Sequence, residues 1–314
     1  MLKIKSSALG SAEMCLAMGF GGSSIIAGKI LTGVVSIFTI NFISLLAATI
    51  TMAPAALKYR KEFKKMDKKQ FLYAIFQALF GIIIFRIFMI IGLRYLKAGH
   101  AGLLTSSSPV ILTIFSIVIL KEKPTLSGLF ALGLALAGLV LINSGQSEES
   151  GNTEIIGIIC LLVSAVGEAF LTIFRKLAGG TIPSPLNAFI LSLIGTIFFA
   201  PFCLIEFLSN KIGAIGTGQW LVLLYYGAAA TGFAYILWGD GAIRISGNKT
   251  GIYMAMMPIA SVTLSRLILS EHLENRQLIG GLIIVAAIIL SEIKSISRIG
   301  KNKEKNIKTA VNRV

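Results

Sequence analysis

Apolar residues in this chain gather in blocks of about twenty, separated by short polar or charged punctuation. Ten such blocks can be marked, at roughly 8–28, 34–57, 71–93, 100–120, 125–142, 155–174, 186–208, 219–241, 250–269 and 277–293. Each is close to the ~20 residues that a helix needs to cross a ~30 Å hydrocarbon core. The pattern predicts an all-α integral membrane protein with ten transmembrane helices. The longer breaks are the basic loop at 58–70, the Gly/Ser/Glu stretch at 143–154 and the tail after 293.

Composition agrees with that solvent. Of 314 residues, 55% are hydrophobic and 14% charged, with a mean hydropathy of +0.84. A soluble domain has about 25% charged residues, so too little polar surface is available here to cover a globule. The net charge of +15 does not indicate nucleic acid, because the basic residues sit in clusters between apolar blocks rather than on one face. With a cytoplasmic N-terminus, 22 of the 29 Lys and Arg residues fall on inside segments and five on outside ones. Arg86 and Arg266 lie within blocks. This bias predicts a multi-pass protein of the cytoplasmic (inner) membrane with both termini cytoplasmic. Lys3 and Lys5 before an apolar run superficially resemble a signal peptide, but Glu13 interrupts the run and no small-residue cleavage site follows, so an uncleaved first helix is expected. Cys15, Cys160 and Cys203 all lie in apolar stretches and read as small packed side chains rather than a disulfide framework.

The two halves echo each other. Gly102, Pro109 and Glu122 recur as Gly251, Pro258 and Glu271, each displaced by 149 residues and each in the same place in its helix, the fourth or the ninth. The expected organisation is a first repeat over 1–145, a second over 146–295, and a basic cytoplasmic tail over 296–314. Five helices per repeat is an odd number, so the second repeat enters the membrane inverted. Inverted five-helix repeats suit a secondary transporter, in which one half rocks against the other around a midplane site.

On these residues the chain resembles the EamA-type group of the drug/metabolite transporter superfamily. The resemblance rests on Pro109 with Leu120-Lys121-Glu122, on Pro258 with Leu269-Ser270-Glu271, and on Gly22-Ser23 followed by Lys29. Gly21 stands where that group usually has Trp. The resemblance spans nearly the whole chain. It implies ten helices in two EamA repeats, and transport of amino acids, nucleobases, drugs or other small metabolites, with export favoured over import.

Several side chains are candidates for substrate binding or coupling, each with a plainer alternative. Glu168 sits about six residues from the inner end of the sixth helix. An ionisable group at that depth costs at least a few kcal/mol, so it faces a cavity or a partner. It reads as a proton-coupling or cation-binding group, or as a hydrogen-bonded structural glutamate. Arg86, roughly eight residues from the outer end of the third helix, suits a substrate carboxylate or phosphate; the alternatives are a structural ion pair or snorkelling. Pro109 and Pro258 each remove a helical hydrogen bond, and Ser106, Ser107 and Ser108 can satisfy the freed groups or line a cavity. Tyr253, Met257 and Ser261 share one face of the ninth helix, as a binding stripe or as packing. Weaker candidates are Arg266, placed to snorkel, and Asp240, spaced to pair with Arg244. Glu13, Glu122 and Glu271 read as interfacial or gating groups.

Enzyme signatures are absent from the sequence. Gly22 to Gly28-Lys29-Ile30 misses a phosphate-binding loop by one residue of spacing and lacks the Ser or Thr for magnesium. Gly239-Asp240-Gly241 lacks the spacing of an intramembrane aspartyl protease, and His100 and His272 are isolated, so no metal and no cofactor is expected. The expected function is a secondary transporter of a small metabolite, working by alternating access without ATP, with the proton as candidate coupling ion. The rivals are a membrane-embedded enzyme acting on a lipid-linked substrate and a non-transporting membrane partner subunit.

Overall fold

The computed structural model describes residues 2–32, 34–95, 108–122, 126–143, 152–179, 182–209, 215–254, 256–270, 275–276, 279–287 and 290. Its elements are helices: α1 (Leu2–Thr32), α2 (Ile37–Lys58), α3 (Arg60–Lys64), α4 (Lys68–Ala78), α5 (Phe85–Tyr95), α6 (Ser108–Val118) and α7 (Leu126–Asn143). In the second half come α8 (Asn152–Leu177), α9 (Ser184–Leu208), α10 (Thr217–Gly227), α11 (Ala234–Arg244), α12 (Gly247–Met254) and α13 (Met256–Leu269). Two π-helical segments, Leu79–Ile84 and Ala228–Phe233, join α4 to α5 and α10 to α11. Gly102, Ser106, Ser107, Glu271, His100, His272 and the tail lie outside the described residues.

Six spans among the described residues are long and apolar enough to cross a membrane: Ala8–Leu31, Ile37–Lys58, Lys68–Gly92, Ile155–Leu177, Ser184–Leu208 and Thr217–Arg244. The other four predicted blocks coincide with α6, α7, α12 with α13, and the stretch at 279–287, which are shorter or interrupted by residues outside the described set. Leu57, Ile197 and Leu208 are 69%, 65% and 72% exposed, a distribution that water would penalise and hydrocarbon favours.

Polar residues set the helix ends. Ser36 caps α2 by accepting from the Thr39 N–H at 3.3 Å. Asp67 and Gln70 form a reciprocal capping box at the start of α4, where the basic segment gives way to the apolar span. The basic loop expected at 58–70 therefore contains the short helix α3 and the cap of α4.

The helices interlock across the two halves. α5 packs on α8, and α11 packs on α1; α6 packs on α8, and α13 packs on α1. α4 meets α9 while α10 meets α2, and α2 and α9 pack extensively on each other. At their contact the Thr49 and Thr196 hydroxyls lie 3.2 Å apart. The two π segments, with the helices before and after them, begin and end 149 residues apart, the same displacement that relates Pro109 to Pro258. Close approach is made possible by small residues. A Cβ on Gly167 would lie 2.6 Å from the Phe80 carbonyl oxygen, where α8 abuts the first π segment. A Cβ on Gly22 would lie 2.7 Å from both the Met257 carbonyl oxygen and the Ser261 nitrogen, where α1 abuts α13.

Candidate functional site

A cavity lies between α1, α5, α8, α11 and α13, with both π segments at its edge. Its polar or aromatic lining includes Arg86, Glu168, Tyr226, Tyr235 and Trp238, with Met257 contributed by α13. The volume is about 90 Å³, room for about three waters and well below the ~300–1,000 Å³ of typical ligand pockets.

Arg86 stands at the second position of α5, immediately after the first π segment. A π turn inserts a residue into the helix and rotates the side chains beyond it, which is why such turns recur at functional sites. The guanidinium is 4% exposed. Its Nη1 donates to Asn41 Oδ1 at 3.3 Å and to Ser44 Oγ at 3.0 Å, both on α2, and Nη2 donates to Thr231 Oγ1 in the second π segment. The Tyr226 ring centroid is 4.9 Å from the guanidinium carbon, within cation–π range, and the Tyr235 hydroxyl is a further neighbour. These acceptors are themselves oriented. Asn41 Nδ2 is engaged by the Ile37 carbonyl at 3.0 Å, leaving Oδ1 for Arg86. Thr231 donates to the Tyr226 carbonyl at 2.7 Å, a five-residue reach that fits the widened π turn. No carboxylate pairs with Arg86 among the described residues.

Glu168 enters the same cavity from α8. Ser108 at the start of α6 is a polar neighbour, and its buried hydroxyl makes no hydrogen bond of ordinary geometry. Two residues further along α8, Phe170 lies 4.9 Å from Phe80 and 4.7 Å from Phe115 between centroids. Tyr235 lines the cavity together with both ionisable groups, Arg86 and Glu168.

The other predicted residues are dispersed. Met257 lines the cavity, whereas Tyr253 is buried and Ser261 half-buried outside its lining. The backbones of Pro109 and Pro258 lie in the first turns of α6 and α13; their side chains are not among the described groups. Arg266 is exposed on α13 and away from the cavity. Asp240 belongs to a separate charged cluster, where it accepts from Ser184 Oγ and lies 3.7 Å from Arg244, the expected i,i+4 pair. The closer partner of Arg244 is Glu13 from α1. Arg175, fully buried, donates to the Ile182 carbonyl at 2.9 Å and to Ser184 Oγ at 2.7 Å. Lys176 Nζ caps the end of α11 through the Ala242 and Ile245 carbonyls at 2.7 and 2.6 Å.

Sequence reasoning did not single out Asn41, Ser44, Tyr226, Thr231, Tyr235 or Trp238. One signal was available: the 149-residue displacement carries Arg86 onto Tyr235, and the two face the same cavity. Among the described residues no group of His, Cys, Asp and Glu side chains is arranged to hold a metal ion. A second hollow, of about 520 Å³, lies against α1, α10 and α13 and is walled by residues such as Leu16, Ile26, Ile30 and Leu264. Its Ser23 and Tyr225 hydroxyls bond each other at 2.7 Å, so it suits a hydrocarbon chain rather than a polar cargo.

Comparison with known proteins covers most of the chain. The model of the EamA-like transporter family matches residues 9–144 and again 155–293. The uncharacterized transporter YetK of Bacillus subtilis (strain 168) is 28% identical, over 90% of this chain and 86% of its own length. An uncharacterized transporter of Archaeoglobus fulgidus is 26% identical over 80% of this chain and 85% of its own. A solved crystal structure superposes with a TM-score of 0.73 at 17% identity, covering 91% of this chain and 96% of that one, a likeness of fold.

Proposed function

This chain belongs to the EamA-like transporter family, and from that premise we propose that it is a secondary transporter whose small-molecule cargo binds in the cavity between Arg86 and Glu168. The observation that carries the reading is convergence. Two ionisable side chains, each costly in a membrane interior, come from opposite halves of the chain and line one cavity. Two π segments at equivalent positions flank that cavity, and broken or irregular helices at a repeat interface are where secondary transporters bind their cargo.

In this reading the molecule is ten helices in two inverted repeats, 1–145 and 146–295, in the cytoplasmic membrane with both termini inside. The cavity of about 90 Å³ is the contracted form of the site, and rocking of one repeat against the other opens it to each side in turn. Pro109 and Pro258, at matching places in the two repeats, serve as hinges near the cavity, with Ser108 and Met257 as neighbours of the cargo. Tyr253 and Ser261 act through the packing of the ninth helix. Export is the favoured direction, and Glu168 is the residue that carries a coupling proton.

The test is metabolite profiling of cells with the gene deleted or overexpressed, followed by flux of the responding compounds in proteoliposomes. Movement of at least one compound, dependent on an ion or pH gradient, is expected. Proteoliposomes that move none of the responding compounds under any gradient would remove the transport reading.

A further inference from the structure

The Arg86 site is an incomplete ion pair. Moving a guanidinium out of water costs several kcal/mol even after relaxation, and burial is tolerated when an opposite charge or a full set of hydrogen bonds compensates. Among the described residues the compensation comes from uncharged groups: Asn41 Oδ1, Ser44 Oγ, Thr231 Oγ1, the Tyr226 ring and the Tyr235 hydroxyl. Three of the five guanidinium N–H groups are used in the bonds to Asn41, Ser44 and Thr231. The cation borders a cavity instead of being sealed by side chains. Elsewhere in the molecule Arg244 is met by the carboxylates of Glu13 and Asp240.

We propose that the cargo carries an anionic group, a carboxylate or a phosphate, which enters the cavity as the counter-ion of Arg86 while Glu168 accepts a hydrogen-bond donor at the cargo's other end. This deepens the transport reading above and rests on it. The planar guanidinium fork matches both oxyanions, whereas a neutral amide or an alcohol would leave the charge uncompensated. The two ionisable walls favour a molecule polar at both ends over a lipophilic cation.

The experiment compares the metabolites that wild type and variants redistribute between cytoplasm and medium, at matched membrane levels, with mass spectrometry covering acids, neutral compounds and amines alike. The compounds moved by wild type are expected to carry a carboxylate or phosphate. Arg86→Gln is expected to reduce their flux at least tenfold, and Arg86→Lys, which keeps a charge but not the fork, to reduce it less. Wild type moving compounds without an anionic group, or Arg86→Gln matching wild type, would overturn the proposal. If Arg86→Gln fails to accumulate, the charge class of the wild-type cargo and the Arg86→Lys flux decide the matter. A second arm measures thermal stability in phosphatidylcholine vesicles with and without phosphatidylglycerol. An Arg86-dependent gain from the anionic lipid assigns the counter-ion to a headgroup and refutes the proposal. No redistributed metabolite at all removes the transport reading itself, a distinguishable outcome.

Discussion

Two buried arginine environments in this molecule differ in how their charge is balanced. At the end of the bundle that carries Glu13, the cations Arg175, Lys176 and Arg244 meet carboxylates, a bridging hydroxyl and helix-terminal carbonyls. Four elements, α1, α8, α9 and α11, are tied together there, and the fold itself supplies the opposite charge. At the cavity, the described partners of Arg86 are neutral acceptors and an aromatic face. Partnered charge fixes helices relative to one another. Oriented charge with neutral partners beside a void is the arrangement on which the proposed anion site rests.

The largest difference is expected in transport. Arg86→Gln should lower flux or apparent affinity for the cargo by roughly 10- to 100-fold, since hydrogen bonds to a charged group are worth ~1.5–3 kcal/mol and ~1.4 kcal/mol is tenfold. Arg244→Gln should leave the apparent affinity nearly unchanged. Proteoliposome uptake at a series of substrate concentrations checks both, and equal losses in the two variants would erase the distinction between the regions.

Stability should reverse the ranking. Arg244→Ala strands the Glu13 carboxylate, whose side chain is only 12% exposed. The expected cost is about 2 kcal/mol, between the ~0–1 of an exposed pair and the ~3–5 of a fully buried one. Arg86→Gln removes a cation from neutral partners and should cost less. Thermal unfolding in a mild detergent measures this, and the double variant Glu13→Gln with Arg244→Gln should recover much of the loss. A double variant as unstable as Arg244→Ala alone would mean that the pair is not what holds α1 to α11.

Glu168 is the smaller and more selective lever on the cavity side. Glu168→Gln keeps the shape and a hydrogen-bonding group while removing the titratable proton. Uptake driven by a pH gradient is expected to fall to the equilibrating level, with substrate counterflow retained. Unchanged gradient-driven accumulation would take the proton role away from this residue and leave Arg86 as the cavity's functional charge.

Six of the ten apolar blocks match the membrane-length spans to within a few positions, because length in lipid is dictated by hydrocarbon thickness. Arg86 and Glu168 were legible because an ionisable residue in such a block is costly wherever it points. Their shared cavity was not legible, since it depends on how α5 and α8 pack and on π turns that no residue type announces. Asn41, Ser44 and Thr231 were illegible for a related reason: small polar residues are cheap in a helix and ordinary in sequence. Tyr253 and Ser261 share a helical face with Met257, yet periodicity places a stripe without saying which of its residues meets a neighbour. The 149-residue displacement is visible in Gly, Pro and Glu residues, and it also relates Leu79–Ile84 to Ala228–Phe233, which only the folded chain reveals as π turns.

The smallest expected effect calibrates the whole contrast. The Thr49 and Thr196 hydroxyls lie 3.2 Å apart across α2 and α9, and each is also 2.8 Å from a carbonyl of its own helix, Leu45 or Ser192. With one proton on each hydroxyl, the pair bonds when one of them turns from its own carbonyl to the other. A double-mutant cycle with Thr49→Val and Thr196→Val should give a coupling of about 0.6 kcal/mol, the mean for neutral hydrogen bonds between membrane helices and a factor of about three in the folding equilibrium. The bonds that Arg86 makes belong to the stronger, charge-assisted class of ~1.5–3 kcal/mol each, so the threonine pair sets the floor against which they are read. A coupling of about 2 kcal/mol or more at the threonine pair, above the ~1.7 kcal/mol maximum for such bonds, would put neutral bonds between these helices on the scale of the charge-assisted ones, and the distinction between the two arginine environments would rest on the cavity alone.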